Sequence, residues 1–442
     1  MTLPDVIGEQ SFFELHRPAP AGKLDLTPLR SELAKGLAEH APQAARVAVA
    51  VGSRGIARID EVVDIVVSSV KAAGRKAVIV PAMGSHGGGT PSGQEAVLRE
   101  LGIDPAKLGA RVDASMDVIR IGELPEGQPV FLATSVLACD AVIPVCRVKP
   151  HTDFRGLIES GLTKMLSIGL GKQVGASSLH TAGVEQFHEL LPAAARVVLA
   201  RLAVPFGVAL IEDEWHRLRR VEVVPGSDIL EREPELLVEA WAHFGRLPFA
   251  EIDILVLREM GKTVSGAGMD PNVTGRPIGV QFPVPTQVRR LAVLDLREDS
   301  GGNALGVGVA DVVTERLRRK IDWVPTRANA LTSKSPAGAR LPLVASTDLE
   351  ALQFAGAMLT GRGPGEARVV AAANTLDVTD LAVTEGLVPE AEKAGYVVKG
   401  GPCRPEISPS GTLLRIGGLD FFPGDDHPAP EAEAADRDLY QD

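Results

Sequence analysis

The feature that most constrains the fold is a strand, a turn, a helix and a second strand within residues 45–82. Residues 45–51 (ARVAVAV) form a continuous apolar run with β-branched side chains, which is typical of a buried parallel strand. Residues 59–73 carry valines and isoleucines at helical spacing, and they predict a helix with one apolar face. Residues 76–82 (KAVIVPA) predict the next strand. This βαβ unit requires parallel strands with a right-handed crossover, and so predicts an α/β fold.

The same patterns continue along the chain. Aromatic residues make up only 4% of the sequence, and the abundance of Ala, Val, Leu and Gly favours α/β layers over an all-β sandwich. We expect further strands at residues 140–146, 206–211, 252–257, 290–296, 342–346 and 367–373. We expect further helices at residues 91–101, 230–243, 309–320 and 349–360.

Length and composition predict the domain organisation. A chain of 442 residues is long enough for two domains. We expect an N-terminal α/β domain over residues 1–255, a C-terminal α/β domain over residues 256–422 and an acidic, disordered tail over residues 423–442. The segment 261–277 is rich in Gly and Pro, and it predicts a functional loop. The expected architecture is two α/β domains with the active site in the cleft between them.

Charge and cysteine usage exclude several classes of partner. The formal net charge is −11 and no long basic run is present, so neither a nucleic acid nor an anionic membrane is an expected partner. No stretch approaches the ~20 apolar residues of a membrane span, and the N-terminus lacks a signal pattern. Cys139, Cys146 and Cys403 show no CxxC spacing, which predicts buried free thiols in a reducing compartment. We therefore expect a cytoplasmic protein.

Three histidines lie where an α/β fold places its chemistry. His86 follows a predicted strand within a loop that has glycines at positions 84 and 87–89, and His151 follows another strand after a proline. His180 ends a Gly-rich stretch. Ligands of open α/β sheets bind at the carboxyl ends of the strands, and imidazole can act as an acid, a base or a nickel ligand. For His86 alone, the alternative is a flexible surface turn.

Several charged residues accompany these histidines. Lys149 precedes His151, and its charge could hold a carboxylate or a phosphate. Lys164 and Lys172 lie in the segment GLIESGLTKMLSIGLGKQVG, which is not a Walker P-loop. Lys164 stands among apolar residues, where a lysine either extends towards solvent or serves as a nucleophile or attachment point.

Charged residues in two further loops are candidates for substrate binding. Arg54 follows the first predicted strand, where a guanidinium can hold a carboxylate through two hydrogen bonds. Glu259 and Lys262 follow another strand, although a solvated charged loop is the simpler reading of that pair.

Taken together, Arg54, His86, His151, Lys164, His180 and Lys262 resemble, in this order, the pattern of the nickel-dependent lactate racemase family. The resemblance extends from about residue 10 to about residue 420. Its most specific part is the interval of sixteen residues from Lys164 to His180.

The resemblance implies a cofactor and a set of residue roles. The cofactor would be a nickel pincer nucleotide attached covalently through Lys164, with His180 as the protein ligand of nickel. His86 and His151 would form the acid/base pair of a 2-hydroxyacid racemase or epimerase that works by hydride transfer to the cofactor. The resemblance also gives substrate-binding roles to Arg54 and Lys262, to which we add Glu259 and Lys149 as candidates. Expected partners are a small hydroxyacid substrate and the proteins that synthesise the cofactor.

The sequence departs from the family pattern around the substrate. Gly87 and Gly88 stand where the family has Arg-Pro, Val51 stands where it has an acidic residue, and Glu259 stands where it has glutamine. The interval from His151 to Lys164 is also a few residues longer. These differences argue against lactate itself as the substrate. Two alternatives stay open: a non-catalytic nickel- or nucleotide-binding protein, and a dehydrogenase using the same cleft.

Overall fold

The computed structural model describes residues 7–52, 55–361, 363 and 365–424. The chain divides into two compact units. One is the continuous unit, Pro20–Phe244, and the other is the discontinuous unit, Met1–Ala19 with Gly245–Asp442. Strand β1 (Phe12–His16) belongs to the discontinuous unit.

The described part of the continuous unit contains strands β2 to β9 and helices α1 to α9. The strands are β2 (Arg46–Val51), β3 (Lys76–Pro81), β4 (Arg111–Val112), β5 (Val118–Glu123), β6 (Pro129–Ala133), β7 (Ala141–Arg147), β8 (Phe206–Glu212) and β9 (Leu218–Pro225). The helices are α1 (Thr27–His40), α2 (Ile59–Ala72), α3 (Pro91–Glu100), α4 (Pro105–Leu108), α5 (Thr134–Leu137), α6 (Leu162–Lys164), α7 (Lys172–His180), α8 (Phe187–Arg201) and α9 (Ile229–His243).

A sheet covered on both faces forms the centre of the continuous unit. In the described residues its strand order is β4-β3-β2-β7-β8-β9, parallel except for β9. Alternate residues of β2 enter different cores: Val47 and Val49 pack with α1 and α2, whereas Ala48 and Ala50 pack with α8 and α9. This two-sided burial explains why β2 reads as a continuous apolar run. The expected βαβ unit is therefore present as β2-α2-β3.

The described part of the discontinuous unit contains β1, strands β10 to β19 and helices α10 to α14. The strands are β10 (Glu251–Leu257), β11 (Gln287–Val293), β12 (Val312–Thr314), β13 (Leu343–Ala345), β14 (Val369–Ala372), β15 (Asp380–Thr384), β16 (Val397–Cys403), β17 (Glu406–Ile407), β18 (Leu413–Ile416) and β19 (Leu419–Asp420). The helices are α10 (Pro271–Thr274), α11 (Glu315–Arg319), α12 (Trp323–Thr332), α13 (Asp348–Ala357) and α14 (Val388–Lys393).

A second, mixed sheet organises the discontinuous unit. Its order in the described residues is β13-β12-β11-β10-β14-β15-β1-β16. The strands from β13 to β14 run parallel, whereas β1 is antiparallel to both β15 and β16. These pairings join residues 7–19 and 251–255 to the rest of this unit, so its extent differs from the expected ranges 1–255 and 256–422. Because such pairs are distant in sequence, no local pattern signals them.

The fold class is confirmed as α/β, with one local correction. The expected helix over residues 309–320 is wrong in its first half, where β12 pairs in parallel with β11. Val312 and Val313 are fully buried in this sheet, a position that suits β-branched side chains. Thr314 then caps α11 by accepting a hydrogen bond from the Leu317 N–H (3.2 Å). The expected tail lies almost wholly outside the described residues.

Two further expectations concern the state of the cysteines and the presence of membrane-spanning helices. All three cysteines are free thiols, as expected, but they differ in burial: Cys146 is buried, Cys139 is half-buried and Cys403 is exposed. Within the described residues, no helix is both long enough and apolar enough to cross a membrane.

Candidate active site

The carboxyl ends of three adjacent parallel strands bring together most of the candidate residues. Strands β3, β2 and β7 are neighbours in register, and they end at Pro81, Val51 and Arg147. The loops that follow β3 and β7 carry His86 and His151 respectively. Arg54, which follows β2 in the sequence, lies outside the described residues.

The segment from α6 to α7 lies against these loops. It comprises α6, a π-helical turn at Met165–Gly169 and α7, and π-helical turns are frequent at functional sites. The Gly84 N–H donates to the Gly169 carbonyl (3.2 Å), which attaches the His86 loop to the π-helical turn. Lys164 ends α6 and His180 ends α7.

His151 and Lys164 are in direct contact. The Lys164 Nζ and the His151 Nε2 form a hydrogen bond, and both side chains are partly buried. On its other side, the His151 Nδ1 accepts a hydrogen bond from the Asp153 N–H (3.0 Å). The contact places an amine and an imidazole directly beside each other.

Two phenylalanines connect His151 to His180. The His151 ring lies 4.5 Å from the Phe154 ring, measured between centroids, and the Phe154 ring lies 5.6 Å from the Phe187 ring. The His180 ring lies 4.9 Å from that of Phe187. Both phenylalanines are fully buried. The structure therefore brings His151, Lys164 and His180 to one patch of the continuous unit.

Two buried glutamates hold the backbone beneath this patch. The Glu159 Oε2 accepts the His151 N–H (2.6 Å), and burial raises the pKa of Glu159. The Glu233 Oε2 accepts both the N–H and the hydroxyl of Thr163, each at 2.7 Å, directly beside Lys164. Burial raises the pKa of Glu233 to about 7 against the lowering effect of these bonds. Neither glutamate follows from the sequence reasoning, because their partners are set by tertiary packing.

A buried lysine supports the His86 loop. Lys172 is fully buried, and its Nζ donates to the Pro81 carbonyl (2.7 Å) and to the Gln94 Oε1 (3.0 Å). The Gln94 amide in turn donates to the carbonyls of Gly84 (3.0 Å) and His86 (3.4 Å). Burial lowers the pKa of Lys172 to about 8. Lys172 thus acts on the loop backbone, whereas Lys164 lies beside His151.

The structure gives other contacts for the remaining candidates, which are Lys149, Glu259 and Lys262. Lys149 exchanges backbone hydrogen bonds with Ser160 (2.9 and 3.2 Å), which closes the loop that contains His151. Glu259 and Lys262 belong to the discontinuous unit. The Glu259 carboxylate contacts Arg297 at 3.3 Å. The Lys262 Nζ donates to the Gly266 carbonyl within its own loop.

The side-chain donors of the described residues do not by themselves form a metal centre. Among the described residues, no group of three or more His, Cys, Asp or Glu side chains is placed to hold a metal ion.

Comparison with known proteins gives one result about the fold. No protein-family model matches the chain, and no curated protein matches it. Among solved structures, the chain is similar to the lactate racemase apoprotein from Thermoanaerobacterium thermosaccharolyticum, with a TM-score of 0.52 and 14% sequence identity. The match covers 86% of this chain and 96% of that one. The two proteins share a fold. At this identity the similarity extends to the fold alone.

Proposed function

We propose that this protein is a racemase or epimerase of 2-hydroxy acids that uses a nickel pincer nucleotide. The observation that supports the proposal most directly is the contact between Lys164 and His151, with His180 joined to the same patch through Phe154 and Phe187. This patch lies at the carboxyl ends of parallel strands, where α/β folds bind their ligands. The fold shared with a lactate racemase apoprotein favours this chemistry over unrelated ones.

The residues of the patch fit such a cofactor. Lys164 offers an amine for covalent attachment at the end of α6, and His180 offers one imidazole for nickel. A single protein ligand is sufficient when the cofactor brings its own sulfur and carbon donors. When bound, the cofactor would supply nickel and a hydride acceptor for the substrate carbon.

The protein side chains would handle protons and charge. Inversion through a planar 2-keto acid needs one base on each face of the substrate. We assign these roles to His86 and His151: one takes the hydroxyl proton and the other returns a proton after the carbon has been inverted. In our proposal, Lys149, Lys262, Arg54 and Glu259 bind the substrate. The three cations among them would hold its carboxylate and oppose the charge that develops on its oxygen.

The substrate is proposed to be larger than lactate, or differently charged. Gly87 and Gly88 replace the Arg-Pro of the family pattern beside His86. Gly88 has a φ of +67°, and a Cβ at this position would meet nothing within 4 Å. Removal of an arginine and of side-chain bulk from this loop leaves room for another substituent on the substrate.

The test is to express the protein with and without the proteins that synthesise the cofactor, and to measure intact mass and nickel content. We expect a covalent mass increment that maps to Lys164, with nickel in equimolar amount, and loss of both in Lys164→Ala. Lys35→Ala, which removes an exposed lysine of α1, is the matched control. No increment and no nickel in the presence of the cofactor-making proteins would refute the proposal.

The same preparation separates the alternatives. Loaded enzyme mixed with a panel of single-enantiomer 2-hydroxy acids should produce the opposite enantiomer, and His86→Ala or His151→Ala should lose this activity while keeping nickel. A carrier protein would keep nickel and show no turnover in the wild type. A dehydrogenase would accumulate keto acid at the expense of an external nicotinamide cofactor.

A further inference from the structure

A cavity lies at the amino ends of the strands of the same sheet. It has a volume of about 380 Å³, within the range of small-ligand sites. Its lining includes Arg46, Lys76 and Arg111, which begin β2, β3 and β4. The candidate active site lies at the other ends of these strands, about 17 Å away for a six-residue strand such as β3. The cavity is therefore separate from that site.

The cavity is strongly basic in a protein of net charge −11. In the described part of the chain, its lining holds the carboxylate of Asp113 and five cationic side chains: Arg46, Lys71, Arg75, Lys76 and Arg111. Such an excess of positive charge is costly unless water or an anion compensates it. An excess of four positive charges in one surface cavity of an acidic protein indicates a site that selects anions.

The cations of the cavity are mostly held by neutral groups. Arg46 Nη1 donates to the Ala138 carbonyl (3.0 Å), and Lys71 Nζ donates to the Leu108 carbonyl (3.0 Å). These bonds fix the side chains without neutralising them. Within the described residues, the ion pairs of the five cations are limited to Arg111 with Asp113, at 4.0 Å.

Two residues of the lining each carry a buried polar atom with unused hydrogen-bonding capacity. The Nη1 of Arg75 and the Oγ of Ser135 have no hydrogen-bond partner among the described residues. Ser135 is 4% exposed, and an unsatisfied buried group costs about 1–3 kcal/mol. The Arg75 Nη2, by contrast, is bonded to the Leu37 carbonyl (3.1 Å), which orients the guanidinium. Both groups are hydrogen-bond donors of the kind that bind an oxyanion, and both belong to residues of the lining.

The thiol in the lining does not oppose an anion. Burial raises the pKa of Cys139 to about 11, against the lowering influence of Arg46. The thiol is therefore neutral at physiological pH and adds no negative charge to the cavity.

We propose that this cavity is a second ligand site, which binds a small phosphate-bearing molecule. Guanidinium and ammonium groups suit phosphate oxygens, and four positive charges in excess favour a dianion over a monocarboxylate. The volume accommodates a phosphorylated metabolite of up to about mononucleotide size. The site does not depend on the racemase proposal, since none of its lining residues takes part in that chemistry.

The experiment is isothermal titration of the purified chain with inorganic phosphate, AMP and citrate. The double variant Lys76→Gln/Arg111→Gln removes two exposed cations of the lining. The control double variant, Lys35→Gln/Arg99→Gln, removes the same charge from exposed positions on α1 and α3. We expect saturable binding of phosphate or AMP, weakened about tenfold or more by the first double variant and by less than about twofold by the control. Tighter binding of AMP than of phosphate would assign a phosphate ester, and the reverse would assign free phosphate.

Ser135→Ala tests the cavity itself, because this variant keeps the net charge. We expect it to weaken phosphate binding several-fold, as lost hydrogen bonding to a charged ligand should. Four outcomes would overturn the proposal: no saturable binding of phosphate or AMP, equal weakening by both double variants, citrate binding at least as tight as that of phosphate, or a Ser135→Ala affinity equal to that of the wild type.

Discussion

Replacement of Glu233 by glutamine should change how the stability of the continuous unit depends on pH. The Glu233 side chain is buried, its Oε2 accepts both hydrogen bonds from Thr163, and its Oε1 has no partner among the described residues. Burial raises the pKa of this carboxyl from 4.5 to about 7. In the unfolded chain the carboxyl ionises near its ordinary pKa, so the native state binds more protons than the unfolded state between these two values.

This difference in bound protons determines the sign and the magnitude of the change in the free energy of unfolding with pH. A carboxyl whose pKa is raised in the native state favours folding below the unfolded-state pKa, and this contribution is lost as the pH rises through the native pKa. The shift from 4.5 to about 7 corresponds to about 3 kcal/mol. Glutamine does not ionise. The stability of Glu233→Gln relative to wild type should therefore increase by about 3 kcal/mol between about pH 4.5 and pH 8.

The assay is urea unfolding at several pH values, followed by tryptophan fluorescence. A Trp323→Phe background leaves Trp215 and Trp241, which both lie in the continuous unit. Glu231→Gln is the control, because it removes an exposed carboxylate from the same helix. If the stability difference between Glu233→Gln and wild type is the same at every pH, the Glu233 carboxyl does not titrate as its burial requires, and the reasoning fails.

Four other substitutions test the packing of the candidate active site, each by the free energy of unfolding. Gly87→Ala should destabilise the protein by well over 1 kcal/mol, because the φ of Gly87 is +63° and a Cβ would lie 2.5 Å from neighbouring backbone. Gly88→Ala should cost only about 1 kcal/mol, because Gly88 has a φ of +67° but a Cβ there would lie in open space. Similar losses in the two variants would contradict this account. Phe187→Ala should cost about 3–5 kcal/mol, because the ring is buried, and a loss below 1 kcal/mol would argue against that packing. Gln94→Leu should cost about 1–3 kcal/mol, because it removes a hydrogen-bond partner from buried Lys172, and an unchanged stability would refute this role.

Much of the fold was predictable from the local pattern of apolar residues in the sequence. Five strands were predictable because a strand that is buried on both faces of a sheet consists mostly of apolar residues. These strands are β2, β3, β7, β8 and β10. The error over residues 309–320 arose where a three-residue strand leads directly into a helix. The role of β1 was not predictable, because Phe12 pairs with residues nearly four hundred positions away. Pairing over such a distance is a property of the folded chain.

In the candidate site, too, local sequence predicts some residues, whereas tertiary packing alone places others. The positions of His86 and His151 after strands follow from the rule for parallel sheets, and the structure has the two loops at the carboxyl ends of β3 and β7, which flank β2. The supporting residues lie outside these motifs. Phe187 and Glu233 come from α8 and α9, and they reach the site only because these helices pack beneath α6. Their signals in the sequence are an ordinary core aromatic and an ordinary helix glutamate.

The two lysines of the Gly-rich segment show what burial adds to a motif. In the sequence, Lys164 and Lys172 stand in similar apolar surroundings eight residues apart. The structure separates them: Lys172 is enclosed, at a φ of +54°, by the Pro81 carbonyl and the Gln94 side chain, whereas Lys164 remains partly exposed against the His151 imidazole. An enclosed ammonium cannot receive a cofactor without loss of the hydrogen bonds that hold the His86 loop. A partly exposed amine with an imidazole beside it can be modified while the surrounding fold stays in place. Of the two, Lys164 is therefore the lysine for which we propose covalent attachment.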